Sequence, residues 1–235
     1  MSTKLLAEFF GTMILILLGD GVVAGSVLNK SKSQNSGWIV IASGWAMAVM
    51  LPAFIFGAIS GAHFNPALTI ALAVAGKFPW AQVPGYVIAQ MLGAMAGATL
   101  VWLAYLEHWK ATDDQDGKLA VFCTGPAIRK YSSNFLTEVI GTFVLVFVIL
   151  GIGGVTAAAG LPTFVVGGLI LGLGLSLGGP TGYAINPARD LGPRIAHAIL
   201  PIAGKGDSDW AYSWIPVLAP IVGAVLAALV WVAVF

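Results

Sequence analysis

Polar positions along this chain are gathered into a few short stretches, and between them lie apolar runs of the length that a bilayer crossing needs, about 20 residues. Six such runs are predicted as spanning helices, near Leu5–Leu28, Trp38–Ala58, Val83–Leu106, Phe135–Ala157, Thr163–Leu177 and Trp214–Phe235. Lys4 before an apolar stretch suggests a secretory signal. However, Glu8 and Asp20 interrupt that stretch and its pattern returns later, so it is predicted as the first span. Two shorter apolar pieces, Pro66–Ala75 and Pro187–Leu200, are too short to cross. Each opens on the same triplet, Asn65-Pro66-Ala67 and Asn186-Pro187-Ala188. Asn is favoured as an N-cap and Pro at the first helical position, so both triplets predict half-helices that begin within the membrane.

Composition strengthens this picture. Of the 235 residues, 58% are hydrophobic and 9% charged, against roughly 25% charged in an average soluble domain. That excludes a soluble enzyme, and a net charge of +1 leaves no basic field for nucleic acid. One cysteine, Cys123, allows neither an internal disulfide nor a thiolate metal cluster. The 30 glycines lie largely inside apolar runs, where small residues let helices approach closely; Gly93-x-x-x-Gly97 and Gly168-x-x-x-Gly172 are predicted packing motifs. The charged stretch Glu107–Lys130 is expected to be a solvated loop. Its Asp113, Asp114 and Asp116 do not make a calcium loop, because the first and last ligand positions would be Thr112 and Cys123. No metal and no cofactor is expected.

The chain also repeats itself. Ala7-Glu-Phe-Phe-Gly-Thr corresponds to Thr137-Glu-Val-Ile-Gly-Thr, and Gln90-Met-Leu-Gly-Ala to Pro220-Ile-Val-Gly-Ala, both at an offset of 130 residues. Ser60-Gly-Ala-His-Phe-Asn-Pro-Ala corresponds to Thr181-Gly-Tyr-Ala-Ile-Asn-Pro-Ala at an offset of 121. Each copy holds three crossings and one half-helix. Three is odd, so the second copy is inverted, and the half-helices enter from opposite faces with their N-termini meeting near the midplane. Paired interrupted segments of this kind mark a transport site. The whole chain, 1–235, is thus one all-α membrane domain, with repeats of about 1–106 and 132–235 joined by the polar loop 107–131.

Two Asn-Pro-Ala triplets at repeat-related places, the second continuing Asn186-Pro187-Ala188-Arg189-Asp190, resemble the major intrinsic proteins, the aquaporins and glycerol facilitators. Ser60-Gly-Ala-His63 and Gln90-x-x-Gly-Ala extend the resemblance over nearly the whole chain. It implies a right-handed six-helix bundle with one pore per subunit, assembled as a homotetramer in the lipid bilayer. It also implies a cytoplasmic N-terminus. Lys4 and Lys77 are then inside and seven basic residues outside, contrary to the positive-inside rule. The short tails suggest the plasma membrane of a bacterium.

By position, the resemblance places Trp45, Gly174, Tyr183 and Arg189 at the narrowest point, the selectivity filter. Water-selective members usually carry a histidine where this chain has Gly174 and a smaller residue where it has Tyr183. Asp190 and Arg194 also resemble glycerol facilitators, whereas Tyr183 in place of the common Phe, and Pro52 inside the second span, depart from the pattern. Trp45 and Tyr183 would offer ring faces to the carbon side of a small polyol, and Arg189 would donate to its hydroxyls. Gly174 would widen the opening and leave backbone carbonyls within reach. Asn65 and Asn186 would donate at the midpoint, where two positive helix ends and the Arg189 charge exclude cations and protons.

Other readings stand beside these. Asn65 and Asn186 could be caps alone, but their doubling and the following Pro-Ala favour a pore role; Trp45 and Tyr183 could face lipid, and for them the resemblance decides for the pore. An Arg189–Asp190 ion pair is disfavoured because the two are sequence neighbours. Glu8 and Glu138, at equivalent repeat positions, could relay protons in a coupled transporter; by resemblance they instead support the loops before the half-helices, with His63 nearby. Cys123 has no histidine placed to activate it, so catalysis fits worst. The expected function is passive conduction of small neutral solutes, with glycerol first and some water. The alternatives are neutral lactic acid, a water-selective pore and a proton-coupled transporter.

Overall fold

The computed structural model describes residues 2–235, with Met1 outside them, and the described residues form helices and connecting segments with no strand. In chain order the helices are α1 (Thr3–Val27), α2 (Trp38–Ser60), α3 (Pro66–Val74), α4 (Val83–Ala104), α5 (Leu106–Ala111), α6 (Gln115–Phe122), α7 (Tyr131–Ile152), α8 (Leu161–Leu177), α9 (Pro187–Ile199) and α10 (Ile215–Val234). Five of them, α1, α2, α4, α7 and α10, are long and apolar enough to cross a membrane. The sixth crossing, α8, has 17 residues, roughly 25 Å at 1.5 Å per residue. Large apolar side chains such as Phe54, Ile88, Phe164 and Val232 stand exposed on the outside of these helices. Such a surface suits a hydrocarbon solvent rather than water.

The packing is built on glycine at two equivalent places. A Cβ on Gly93 of α4 would lie 2.3 Å from the Phe9 carbonyl oxygen on α1. A Cβ on Gly223 of α10 would lie 2.3 Å from the Val139 carbonyl oxygen on α7. Both residues of the second contact follow those of the first by 130, the offset read from the sequence. Gly97 extends the α1–α4 contact, where a Cβ would come within 2.5 Å of the Met13 carbonyl oxygen. The second predicted motif behaves differently. A Cβ on Gly168 or Gly172 would meet nothing within 4 Å, so these glycines pack no helix of this chain.

The half-helices α3 and α9 lie between the two pairs, α3 against α10 and α4, and α9 against α4 and α10. Their starts follow the predicted chemistry. The Asn65 side chain accepts from the amides of Ala67 and Leu68, and Asn186 accepts from those of Ala188 and Arg189. The two N-termini face each other and are tied together. Asn65 Nδ2 donates to the Ile185 carbonyl at 2.9 Å, and Asn186 Nδ2 donates to the Phe64 carbonyl at 2.8 Å.

The polar stretch 107–131 departs from the expected solvated loop. It folds into α5 and α6, and Trp109, Lys118, Phe122, Cys123 and Thr124 are buried. Asp114 caps α6, accepting from the Gly117 amide at 3.0 Å. Trp109 and Phe122 pack ring to ring at 5.5 Å, and Lys118 Nζ donates to the Ala203 carbonyl. Charges on the outer face concealed an apolar inner face that closes one end of the bundle.

Candidate functional site

Strained backbone precedes each half-helix. Gly61, Ala62 and Phe64 have φ of 88°, 52° and 48°, and Gly182, Tyr183 and Ile185, each 121 residues later, have 80°, 39° and 45°. Left-handed backbone costs a residue with a side chain roughly 1–2 kcal/mol, and for β-branched Ile185 it is a true outlier. Two buried carboxylates hold these turns. Glu8 accepts from Ser60 Oγ at 2.6 Å and from the amides of His63 and Phe64 at 3.0 and 2.8 Å. Glu138 accepts from Thr181 Oγ1 at 2.7 Å and from the amides of Ala184 and Ile185, both at 2.9 Å. Gln90 adds a fourth donor to Glu8 at 2.8 Å. Neither carboxylate lines the central cavity.

That cavity has a volume of about 220 Å³ and runs past both half-helix N-termini. Leu15, Val49, Leu145, Ile149, Val166 and Ile170 give it an apolar wall, and His63, Asn65, Tyr183, Asn186 and Arg189 supply polar groups. Trp45 also lines it, with the Arg189 guanidinium carbon 4.1 Å from its ring centre. An amide group has two N–H donors. One on each of Asn65 and Asn186 is spent across the midplane, and one remains on each. The Tyr183 hydroxyl is buried and has no hydrogen-bond partner. His63 is tied to Thr69 Oγ1 at 3.1 Å and packs on Tyr86 and Phe78. Pro66, Ala67, Pro187 and Ala188 are buried in the first turns of the half-helices and do not line the cavity.

Gly174 is placed otherwise than expected. It is buried but does not line the cavity, and its carbonyl is already taken by Trp38 Nε1 at 2.8 Å. The space it leaves is filled by Tyr183, since a Cβ there would come within 2.9 Å of Tyr183 Cζ. The glycine makes room for the tyrosine ring, and its carbonyl accepts from Trp38.

Arg189 is held from outside its own helix. Its Nη1 donates to the Phe122 carbonyl at 3.3 Å, a group in the stretch expected to be solvated. Asp20 on α1 lies 3.7 Å from the same nitrogen. Asp190 belongs to a different cluster. It accepts from the amide and hydroxyl of Thr124 at 2.8 and 2.7 Å and pairs with Arg194 at 2.9 Å. Arg194 also donates to the carbonyls of Thr124, Ser208 and Asp209, clamping the two connecting segments onto α9. Lys205 donates to the carbonyls of His197, Ala198 and Leu200 at the end of α9, and partial burial pushes its amine below the ordinary value. Arg129, paired with Asp209, is pushed up by that hydrogen bond. Burial pushes the Cys123 thiol well up, which disfavours a nucleophilic thiolate. No group of three or more potential metal ligands occurs among the described residues.

Sequence reasoning did not assign Asp20, Trp38, Thr124 or the Phe122 carbonyl to the site. Asp20 left a signal, an acid inside an apolar run. Trp38 looks like an interfacial aromatic, and the loop groups reach the site only through tertiary folding.

A family model described as "Major intrinsic protein" matches residues 1–231. A protein of Thermotoga maritima described as a "Probable glycerol uptake facilitator protein" is 65% identical over 223 residues, covering 95% of this chain and 95% of the relative. "Glycerol uptake facilitator protein 3" of Lactiplantibacillus plantarum is 58% identical over 231 residues, covering 98% of this chain and 96% of the relative. The X-ray structure of the aquaglyceroporin from Plasmodium falciparum superposes with a TM-score of 0.85 at 30% identity, covering 99% of this chain and 96% of that one.

Proposed function

The chain belongs to the major intrinsic protein family, and on that premise we propose that its cavity conducts small uncharged solutes passively, glycerol first and water with it, while protons and ions are held back. One observation carries the reading. The Trp45 ring and the Arg189 guanidinium, 4.1 Å apart, share a cavity wall with Tyr183. An amphipathic three-carbon polyol can lay its carbons on the rings and give its hydroxyl oxygens to the arginine. The glycerol in the descriptions of both relatives supports the same solute.

In this reading Trp45, Tyr183 and Arg189 form the selectivity filter, with Gly174 seating Tyr183 from behind. Asn65 and Asn186 offer their remaining amide hydrogens at the pore midpoint. Pro66, Ala67, Pro187 and Ala188 start the half-helices, and Glu8, His63, Glu138 and Asp190 support them. The helix N-termini oppose any cation at the midpoint. One domain, 1–235, with repeats of about 1–106 and 132–235, makes one pore. Four copies assemble as a homotetramer spanning the plasma membrane of a bacterium.

Light scattering from proteoliposomes tests this with water, glycerol and lactic acid at two pH values. Fast glycerol uptake at both is the expected result. Lactic acid uptake that outruns glycerol and grows towards pH ~4, where a carboxyl becomes neutral, would assign the pore to acid export. Fast water with neither solute would overturn the solute channel.

A further inference from the structure

Four carboxylates are buried inside the bundle, and three of them, Glu8, Glu138 and Asp190, each accept three or four hydrogen bonds. Asp20 does not. It is fully buried on α1, and neither of its oxygens accepts a hydrogen bond. Among the described residues the basic group it meets is Arg189, whose Nη1 lies 3.7 Å away, an ion-pair distance too long for a hydrogen bond. Asp20 does not line the cavity and Arg189 does, so the carboxylate stands behind the guanidinium as seen by a solute. The preceding residue touches the other half of the pair. A Cβ on Gly19 would lie 2.3 Å from Trp45 Cζ3, so one turn of α1 sets the depth of the Trp45 ring and supplies the counter-charge of Arg189.

We propose that Asp20 is a positioning residue that determines the specificity of the filter. Its carboxylate draws the Arg189 guanidinium back towards α1 and cancels its charge, so that the constriction offers hydrogen-bond donors without a net positive field. Asp190 cannot serve instead, because Thr124 and Arg194 already occupy it. Arg189 keeps donors for the solute, since a guanidinium has five N–H groups and its side chain gives one hydrogen bond within the protein, to Phe122. A polyol hydroxyl is then bound by donors that release it readily. Without Asp20 the guanidinium leans into the lumen, narrows it and holds hydroxyl oxygens as a bare cation does. Exclusion of cations consequently falls to the half-helix N-termini and not to Arg189.

The proposal rests on Arg189 belonging to the filter, and the test separates the two ideas. Glycerol and water fluxes are measured in proteoliposomes for the native protein, Asp20→Asn, Arg189→Ala and the double variant, with Asp20→Ser made alongside in case the Asn variant does not fold. Asp20→Asn is expected to lower the glycerol-to-water flux ratio roughly fivefold, about 1 kcal/mol of barrier. In the Arg189→Ala background it should change nothing further. An unchanged ratio in Asp20→Asn, or the same fivefold loss with and without Arg189, would overturn the positioning role while leaving the filter standing. An Arg189→Ala variant with the native ratio would overturn the filter reading, and this one with it.

Discussion

The Cβ that Gly174 lacks would stand 2.9 Å from the hydroxyl oxygen of Tyr183. A hydroxyl so close to a helix backbone has no room to retreat, and Trp38 packs edge-on against the same ring at 5.9 Å. Gly174→Ala should therefore push the Tyr183 ring into the lumen and lower glycerol flux severalfold, with overpacking costing about 1–3 kcal/mol of stability. Gly174→His should depress glycerol flux further, and more than water flux. Shortening the partner separates the mechanisms. Tyr183→Ala, the residue found at the equivalent left-handed position Ala62, in the Gly174→Ala background should restore glycerol flux measured by light scattering. If it does not, the glycine acts on the pore other than through the tyrosine.

Glu138 accepts three hydrogen bonds from Thr181, Ala184 and Ile185, the last held at a left-handed φ of 45°. Glu138→Gln replaces one acceptor oxygen by a donor that faces N–H groups. Leaving a buried amide unpaired costs about 1–3 kcal/mol, so the melting temperature in detergent should fall and flux should drop for all solutes together. In the native protein, glycerol should equilibrate without accumulating, and an imposed pH gradient should not change the endpoint. Accumulation against the gradient that is abolished by Glu138→Gln would establish a proton-coupled transporter instead.

Gly93 and Gly223 give the clearest case of structure legible in sequence. The two occupy equivalent places in Gln90-Met-Leu-Gly-Ala and Pro220-Ile-Val-Gly-Ala, and each meets a carbonyl of its neighbouring helix at the same 2.3 Å. The paired Asn caps and the paired acids were legible for the same reason. Each is a short local motif that the chain states twice. Asp20 and the Phe122 carbonyl were not, because their partner Arg189 is 169 and 67 residues away and neither occurs in duplicate. Gly168-x-x-x-Gly172 shows the opposite failure, a correct motif with nothing of this chain beside it. Gly223→Ala should destabilise the bundle by about 1–3 kcal/mol. Gly168→Ala, on an open face, should leave the melting temperature unchanged or slightly raised through helix propensity.

Arg194 holds two connecting segments against α9. It is fully buried, bonds Asp190 through Nε and Nη2, and donates to three carbonyls in the segments before α7 and after α9. Arg194→Lys keeps the charge and loses the planar fork, so one ammonium cannot reach all of these acceptors. Breaking a buried pair that is already desolvated costs about 3–5 kcal/mol, and the lysine variant should approach that loss. The segment that follows Phe122 should loosen first, exposing the α6–α7 connection to protease well below the melting temperature. Because Phe122 also holds Arg189, the glycerol-to-water flux ratio should fall in the same variant before the protein unfolds. Protease resistance and a flux ratio both at native values would show that the Arg194 cluster does not support the filter.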